Sequence, residues 1–181
     1  MEKKGDNLLR YCVAAFDFIY AYAPLFENLE ALLKNEKKYD VDVFRRGRHV
    51  AKATAEVSQF IPLPVVESII KEYNFKKVLD LGCGSAEFLI QICSKTDIYG
   101  LGVDISEDAV KYACEMIGKS KANGKVSVVV DDIFNFEMSK NEYRNVDLIT
   151  SMFVMHEFLN TGKQTVINLL KRIKSNFPDT H

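Results

Sequence analysis

Along the 181-residue chain the apolar positions change their period near residue 76. Before it they recur at helical spacing; beyond it short apolar runs alternate with helical faces. Leu8, Leu9, Cys12, Phe16 and Ile19 share one face of a helix over residues 6–23. Pro24, whose missing N–H suits a first helical turn, opens a second helix carrying Leu25, Leu29, Leu32 and Leu33. The polar stretch 34–40 separates these from a third helix near 42–59. Ile61-Pro62-Leu63-Pro64 reads as an extended connector, and Pro64 then starts a short helix through Val65, Val66, Ile69 and Ile70.

Residues 76–93 form the stretch around which the remainder is organised. Val78, Leu79 and Leu81 predict a short buried strand, broken by the Gly82-Cys83-Gly84 turn. Ala86, Leu89, Ile90 and Cys93 then recur at i, i+3, i+4 and i+7, so the turn feeds a helix with one apolar face, with Ser85 as its N-cap. Further strands are predicted at 98–103, 126–130 and 146–150. Ser106 caps a helix with Ala109, Val110, Ala113, Cys114 and Ile117 inward and Gly118 at its end. Thr161-Gly162-Lys163-Gln164 has the form of a capping box, opening a helix with Val166, Leu169, Leu170 and Ile173 inward. Strand and helix in alternation imply parallel pairing through right-handed crossovers. The predicted fold is therefore α/β, a Rossmann-like mainly parallel sheet over residues 76–181, preceded by an N-terminal helical cap over residues 1–75.

Composition narrows the function classes. A hydrophobic fraction of 48% supports a real core, and a formal charge of -1 with pI near 6.3 lacks the basic footprint of nucleic-acid binders. No nucleic-acid partner is expected. Cysteines 12, 83, 93 and 114 form no Cys-x-x-Cys pair, which suggests reduced structural thiols in a cytoplasmic protein and no metal cluster. The run 11–20 imitates a targeting segment, but Asp17 interrupts it and it is far short of the ~20 apolar residues a membrane span needs. Arg45-Arg46-Gly47-Arg48-His49 is the one dense basic run; it reads as a solvated helix face, with an arginine gripping a substrate carboxylate or phosphate as the alternative.

The glycine turn carries the candidate chemistry. Glycines 82 and 84 let a ligand approach the backbone, and a helix N-terminus favours an anionic group. A dinucleotide fingerprint wants a third small residue at position 87, where this chain has Glu87, and that argues against a nicotinamide cofactor. The stretch Val78-Leu79-Asp80-Leu81-Gly82-Cys83-Gly84-Ser85 instead resembles the first motif of class I S-adenosylmethionine-dependent methyltransferases. The resemblance covers about residues 76–175 and implies S-adenosyl-L-methionine as cofactor, with sheet order 3-2-1-4. It implies that Asp80 faces the methionine ammonium beside the turn Gly82, Cys83 and Gly84, and that Asp104, followed by Ile105, accepts from the ribose diol. It further implies that Asp132, with Asp131 second, takes the adenine amino group while Ile133 packs on the ring. Ser151 and Met152 match positions lining the methionine end. His156-Glu157-Phe158 resembles a His-Asp-Trp motif of small-molecule O-methyltransferases, in which the histidine deprotonates a hydroxyl; His156 is the candidate general base.

These matches imply methyl transfer to a small, partly aromatic acceptor, with Tyr11, Phe16 and Tyr20 of the cap either shaping its pocket or stacking on the sulfonium's positive charge. Two other motifs are decoys. His156-Glu157 lacks the second metal ligand at Asn160, and Gly162-Lys163 lacks the upstream glycine of a phosphate loop. In the family three more strands follow the fourth, whereas this chain ends at His181. A truncated chain, a homo-oligomer or a strand-completing partner is the expectation, and a non-catalytic cofactor-binding subunit is the alternative function.

Overall fold

The computed structural model describes residues 4–58, 62–135, 141–155, 158, 162–178 and 180. Two compact units divide it, Met1–Pro62 and Leu63–His181.

In the first unit α1 (Lys4–Glu27), α2 (Leu29–Leu33) and α3 (Gly47–Ser58) depart from the sequence expectation at Pro24, which lies inside α1 instead of opening a new helix. An interior proline leaves the carbonyl one turn back without its N–H donor. Here that carbonyl, Tyr20 O, accepts from Arg46 Nη1 at 2.5 Å, from a residue 26 positions away. The next carbonyl, Ala21 O, accepts the Arg46 backbone N–H at 2.9 Å, and the guanidinium lies 4.0 Å from the centre of the Tyr20 ring. Arg45 donates to the Tyr22 hydroxyl at 3.2 Å. Two arginines of the basic run are thus engaged in joining the start of α3 to α1.

The buried face of α1 is also not the one its large apolar residues mark. Ala14 and Ala21 are fully buried, while Leu9, Phe16 and Ile19 are 66%, 70% and 59% exposed, and Cys12 is exposed as well. Asp17 lies on the alanine face, its side chain 13% exposed, and takes Lys52 Nζ at 2.7 Å and His49 Nδ1 at 3.1 Å from α3. Lys52, then His49, hold its carboxyl below the usual range.

All of α4 (Pro62–Tyr73) but its first residue belongs to the second unit, and no extended connector forms at 62–64, since both prolines sit in the first turn where a missing N–H costs nothing. Leu63, Val66 and Ile70 of α4 share a core with Val78, Leu89 and Cys93, so α4 packs with the sheet although it precedes residue 76. Strands β1 (Lys77–Leu81), β2 (Tyr99–Asp104), β3 (Val126–Val130) and β4 (Leu148–Thr150) are all parallel, in the order β3-β2-β1-β4. That is the order expected from the resemblance. The helices α5 (Glu87–Lys95), α6 (Glu107–Gly118) and α7 (Lys163–Asn176) follow β1, β2 and β4.

Alternation along the strands splits the core between the two faces of the sheet. Val78 joins α4 and α5 on one side; Leu79, Leu81, Leu101, Val103, Tyr143 and Leu169 fill the other. The predicted α5 face is buried throughout, at Ala86, Leu89, Ile90 and Cys93. Gly102 in β2 is small because α5's turn presses on it: a Cβ there would lie 2.6 Å from Cys83 Sγ and 2.9 Å from Val128 Cγ1. Ser106 caps α6 by accepting the Ala109 N–H at 3.2 Å; Val110, Ala113 and Ile117 point inward, but Cys114 is exposed. Gly162, at φ 100°, is the N-cap residue of α7, and Thr161 of the expected capping box lies outside the described residues. Leu169 is buried, yet Leu170 is 52% exposed. Among the described residues β4 pairs on one side only, with β1. No helix among them is long and apolar enough to cross a membrane.

Candidate functional site

The carboxyl ends of β1 and β2, with the loop after β4, meet around the glycine turn. In register, Asp80 stands opposite Gly102 of β2 and Thr150 of β4. It is 2% exposed, and Thr150 Oγ1 donates to its Oδ1 at 2.7 Å. Burial pushes the Asp80 carboxyl up to about 7, the Thr150 hydrogen bond opposes this, and the charge of Asp104 adds to it. A buried acid with a hydroxyl donor and a second carboxylate nearby is a site that gains from a cation. Thr150 was not legible as a partner from its own surroundings; the signal lies in the pairing of equivalent strand ends, 70 residues apart.

Asp104 closes the turn from the other side. Its Oδ2 accepts the Gly84 N–H at 2.8 Å and its Oδ1 accepts the Ser106 N–H at 2.9 Å. The N–H groups of Gly82 and Cys83 donate to Val103 O at 2.8 and 3.0 Å. Three successive turn N–H groups are therefore committed to protein acceptors, so the anion-binding character expected of this turn is used internally. Ala86, not Ser85, is the N-cap residue of α5, and it holds a left-handed φ of 57°. The Cys83 thiol is held well above its usual range by burial, then by the charges of Asp80 and Asp104. Beyond Gly84 the space is open: a Cβ there would meet nothing within 4 Å.

Past β4, Ser151 Oγ donates to Leu81 O at 3.2 Å, and Met152 packs against the α4–α5 core. Val154 sits directly over Gly82 (φ 74°), where a Cβ would lie 2.8 Å from Val154 Cγ2. Phe153, between them, is 47% exposed and holds a left-handed φ of 60°. Ile105 is 72% exposed beside Asp104, whereas Ile133 is 7% exposed and belongs to the core with Leu101, Val103 and Tyr143. The structure thus brings Asp80, Gly82, Cys83, Gly84, Asp104, Ser151 and Met152 together and turns Ile133 inward.

The turn after β3 is held by its own acids. Asp131 Oδ1 accepts the Asp132 N–H at 3.0 Å and its Oδ2 accepts the Tyr143 hydroxyl at 2.8 Å. Asp132 accepts from the Phe134 N–H at 2.9 Å and from Asn135 Nδ2 at 2.7 Å. Tyr143 is a further residue that sequence reasoning passed over. His156 and Glu157 lie outside the described residues. Among the described residues no group of acids, histidines and cysteines could hold a metal ion.

A parallel sheet of this order carries its acids at successive strand ends, the place where open α/β sheets bind ligands. Residues 74–176 match a family model described as a methyltransferase domain, and the chain belongs to that family. It is 28% identical over 160 residues to methyltransferase ungE' of Aspergillus campestris, covering 85% of this chain and 45% of that protein. It is 26% identical over 102 residues to indolepyruvate C-methyltransferase of Streptomyces griseus, covering 56% and 30%. A tRNA (guanine-N(7)-)-methyltransferase of Prochlorococcus marinus is 25% identical over 133 residues, covering 73% and 53%. The chain spans about half or less of the length of these curated relatives. In fold it is similar to the crystal structure of a protein from Methanococcus maripaludis described as an S-adenosyl-L-methionine-dependent methyltransferase, with TM-score 0.51, 22% identity and coverage of 68% of this chain and 55% of that one. S-adenosylmethionine is the cofactor of this family, and a buried acid that gains from a cation, a second acid and open space beyond Gly84 fit its ammonium and its ribose.

Proposed function

We propose that the chain binds S-adenosylmethionine and takes part in methyl transfer to a small-molecule acceptor, with O-methylation favoured. The observation that carries the reading is Asp80, buried at the end of β1 with one hydroxyl donor and a second carboxylate nearby. Asp80 receives the cofactor's ammonium, Asp104 the ribose diol and Asp132 the adenine amino group. Ile105, an exposed apolar side chain beside Asp104, offers a surface for the adenine ring. Ser151 and Met152 border the methionine end. When bound, the cofactor supplies a methyl group on a positively charged sulphur. The chain's task is then to hold the acceptor in line and to remove its proton, which falls to His156.

The formal charge of -1 supports a small acceptor over a polyanion. One relative is named for a C-methylation and another for a tRNA, so the acceptor assay includes a phenol, a 2-oxo acid and tRNA. Isothermal titration of the folded chain with S-adenosylhomocysteine is expected to give a dissociation constant well below millimolar; no binding by folded protein overturns the reading. For the base, His156→Ala is expected to lower turnover ~100-fold or more with cofactor affinity unchanged, and an unchanged rate assigns His156 to packing.

A second reading, a cofactor-binding unit that works only with a further strand, is favoured by the edge of β4, unpaired among the described residues, and by the exposed Leu170 of α7. A monodisperse monomer with full activity by size-exclusion chromatography counts against it.

A further inference from the structure

One buried polar tie in the second unit that the proposed cofactor contacts leave unused joins Tyr143 to Asp131. Tyr143 lies in the single helical turn Asn141–Tyr143, between β3 and β4, and is 2% exposed in the core with Leu101, Val103 and Ile133. A tyrosine buried this deeply places its hydroxyl where a partner is needed, and it finds Asp131 Oδ2 at 2.8 Å. Burial and the Asp131 carboxylate push the phenol up, so it remains an O–H donor.

Asp131 sits at the junction of the two carboxylates assigned to the nucleoside. Its backbone N–H donates to Asp104 O at 3.1 Å, and its other carboxylate oxygen accepts the Asp132 N–H at 3.0 Å. The Asp132 carboxylate is oriented in turn by Phe134 N–H and Asn135 Nδ2. One buried hydroxyl therefore fixes the acid that fixes the start of the turn, and through it the rotation of Asp132 relative to Asp104. A phenylalanine at 143 would fill the same core volume but leave Asp131 Oδ2 without that donor, and the Asp131 carboxylate would lose its tie to the core.

We propose that Tyr143 is a positioning residue for the adenine end of the methyl donor, acting through Asp131 on Asp132; this rests on the reading that Asp132 takes the adenine amino group. It makes the purine 6-position the part of the cofactor that senses residue 143.

The test is a comparison of two ligands, S-adenosylhomocysteine and S-inosylhomocysteine, which carries an oxygen in place of the 6-amino group. Tyr143→Phe is expected to weaken the first about tenfold and the second less than twofold, one charge-assisted hydrogen bond being worth about that much. Asp131→Ala, which removes the partner without touching the buried ring, is expected to show the same selectivity. Asp131→Asn, whose oxygen still accepts the Asp132 N–H while its amide N–H donates to the tyrosine oxygen, is expected to restore most of the affinity. Equal loss on both ligands, or no loss with either variant, overturns the assignment to Tyr143. A wild-type chain that binds neither ligand overturns the cofactor reading itself, before residue 143 is compared.

Discussion

Asp80→Asn is expected to raise the thermal midpoint of the free chain at pH 8 while weakening S-adenosylhomocysteine about 100-fold, the loss of a buried charge-assisted contact. The two effects have one cause. In the folded chain burial lifts Asp80 from 3.8 to about 7, so the folded state holds this proton more tightly than the unfolded state does. The contribution of Asp80 to stability is thus fully present below pH 3.8 and lost as pH rises through about 7. Above that, the free protein carries a desolvated anion at a cost of a few kcal/mol, since each tenfold rise in proton affinity corresponds to roughly 1.4 kcal/mol. Asparagine keeps the shape and the Thr150 hydrogen bond without the charge, and a gain of about 2 kcal/mol corresponds to roughly 4–8 °C for a chain of this size. On the proposed reading of the site the ammonium of the ligand needs the anion, however. Wild-type affinity is expected to fall as pH drops below about 7, by up to about tenfold per pH unit, and to level off above it; the asparagine variant is expected to be flat. Calorimetric titration at pH 5.5, 7 and 8.5 checks both curves. A pH-dependent asparagine variant, or a wild type indifferent to pH, would remove Asp80 from contact with the ammonium.

The second unit was the more legible half of the chain. Val78, Leu79 and Leu81 between turn residues, and the helical recurrence of Ala86, Leu89, Ile90 and Cys93, each depend on local period alone, and all seven are buried where the pattern puts them. Parallel pairing followed from the alternation, and strand order from the resemblance that the glycine motif carries. What could not be read was whatever depends on a distant partner. Pro24 marks a helix start by every local rule, yet Arg46 supplies the missing donor from 26 residues away and α1 continues. The bulky residues of α1 mark its outer face because α3 is met by Ala14 and Ala21, which allow close approach, with Asp17 paired to His49 and Lys52. The same holds in the site. Asp80, Gly82, Gly84 and Asp104 carry a local motif; Thr150 acts on Asp80, Val154 on Gly82 and Tyr143 on Asp131 across the sheet and the turns.

Val154 is the residue through which the glycine turn is most exposed to disruption. Gly82→Ala is expected to destabilise the second unit by about 2–4 kcal/mol and to abolish measurable cofactor binding, from two separable causes. At φ 74° an L-residue is strained, by about 1–2 kcal/mol. The new Cβ would also stand 2.8 Å from Val154 Cγ2 and 3.0 Å from its Cβ and Cγ1, so the segment after β4 must shift. That segment carries Ser151, whose hydroxyl reaches Leu81 O at 3.2 Å, and Met152. Displacing it opens the methionine end of the proposed site. Val154→Ala removes two of the three close atoms and leaves the backbone strain, so the pair tests the division. In a double-mutant cycle followed by chemical denaturation, Gly82→Ala is expected to cost at least about 1 kcal/mol less in the Val154→Ala background, with binding partly restored. Strict additivity would mean that the backbone at Gly82, and not the contact with Val154, accounts for the whole effect.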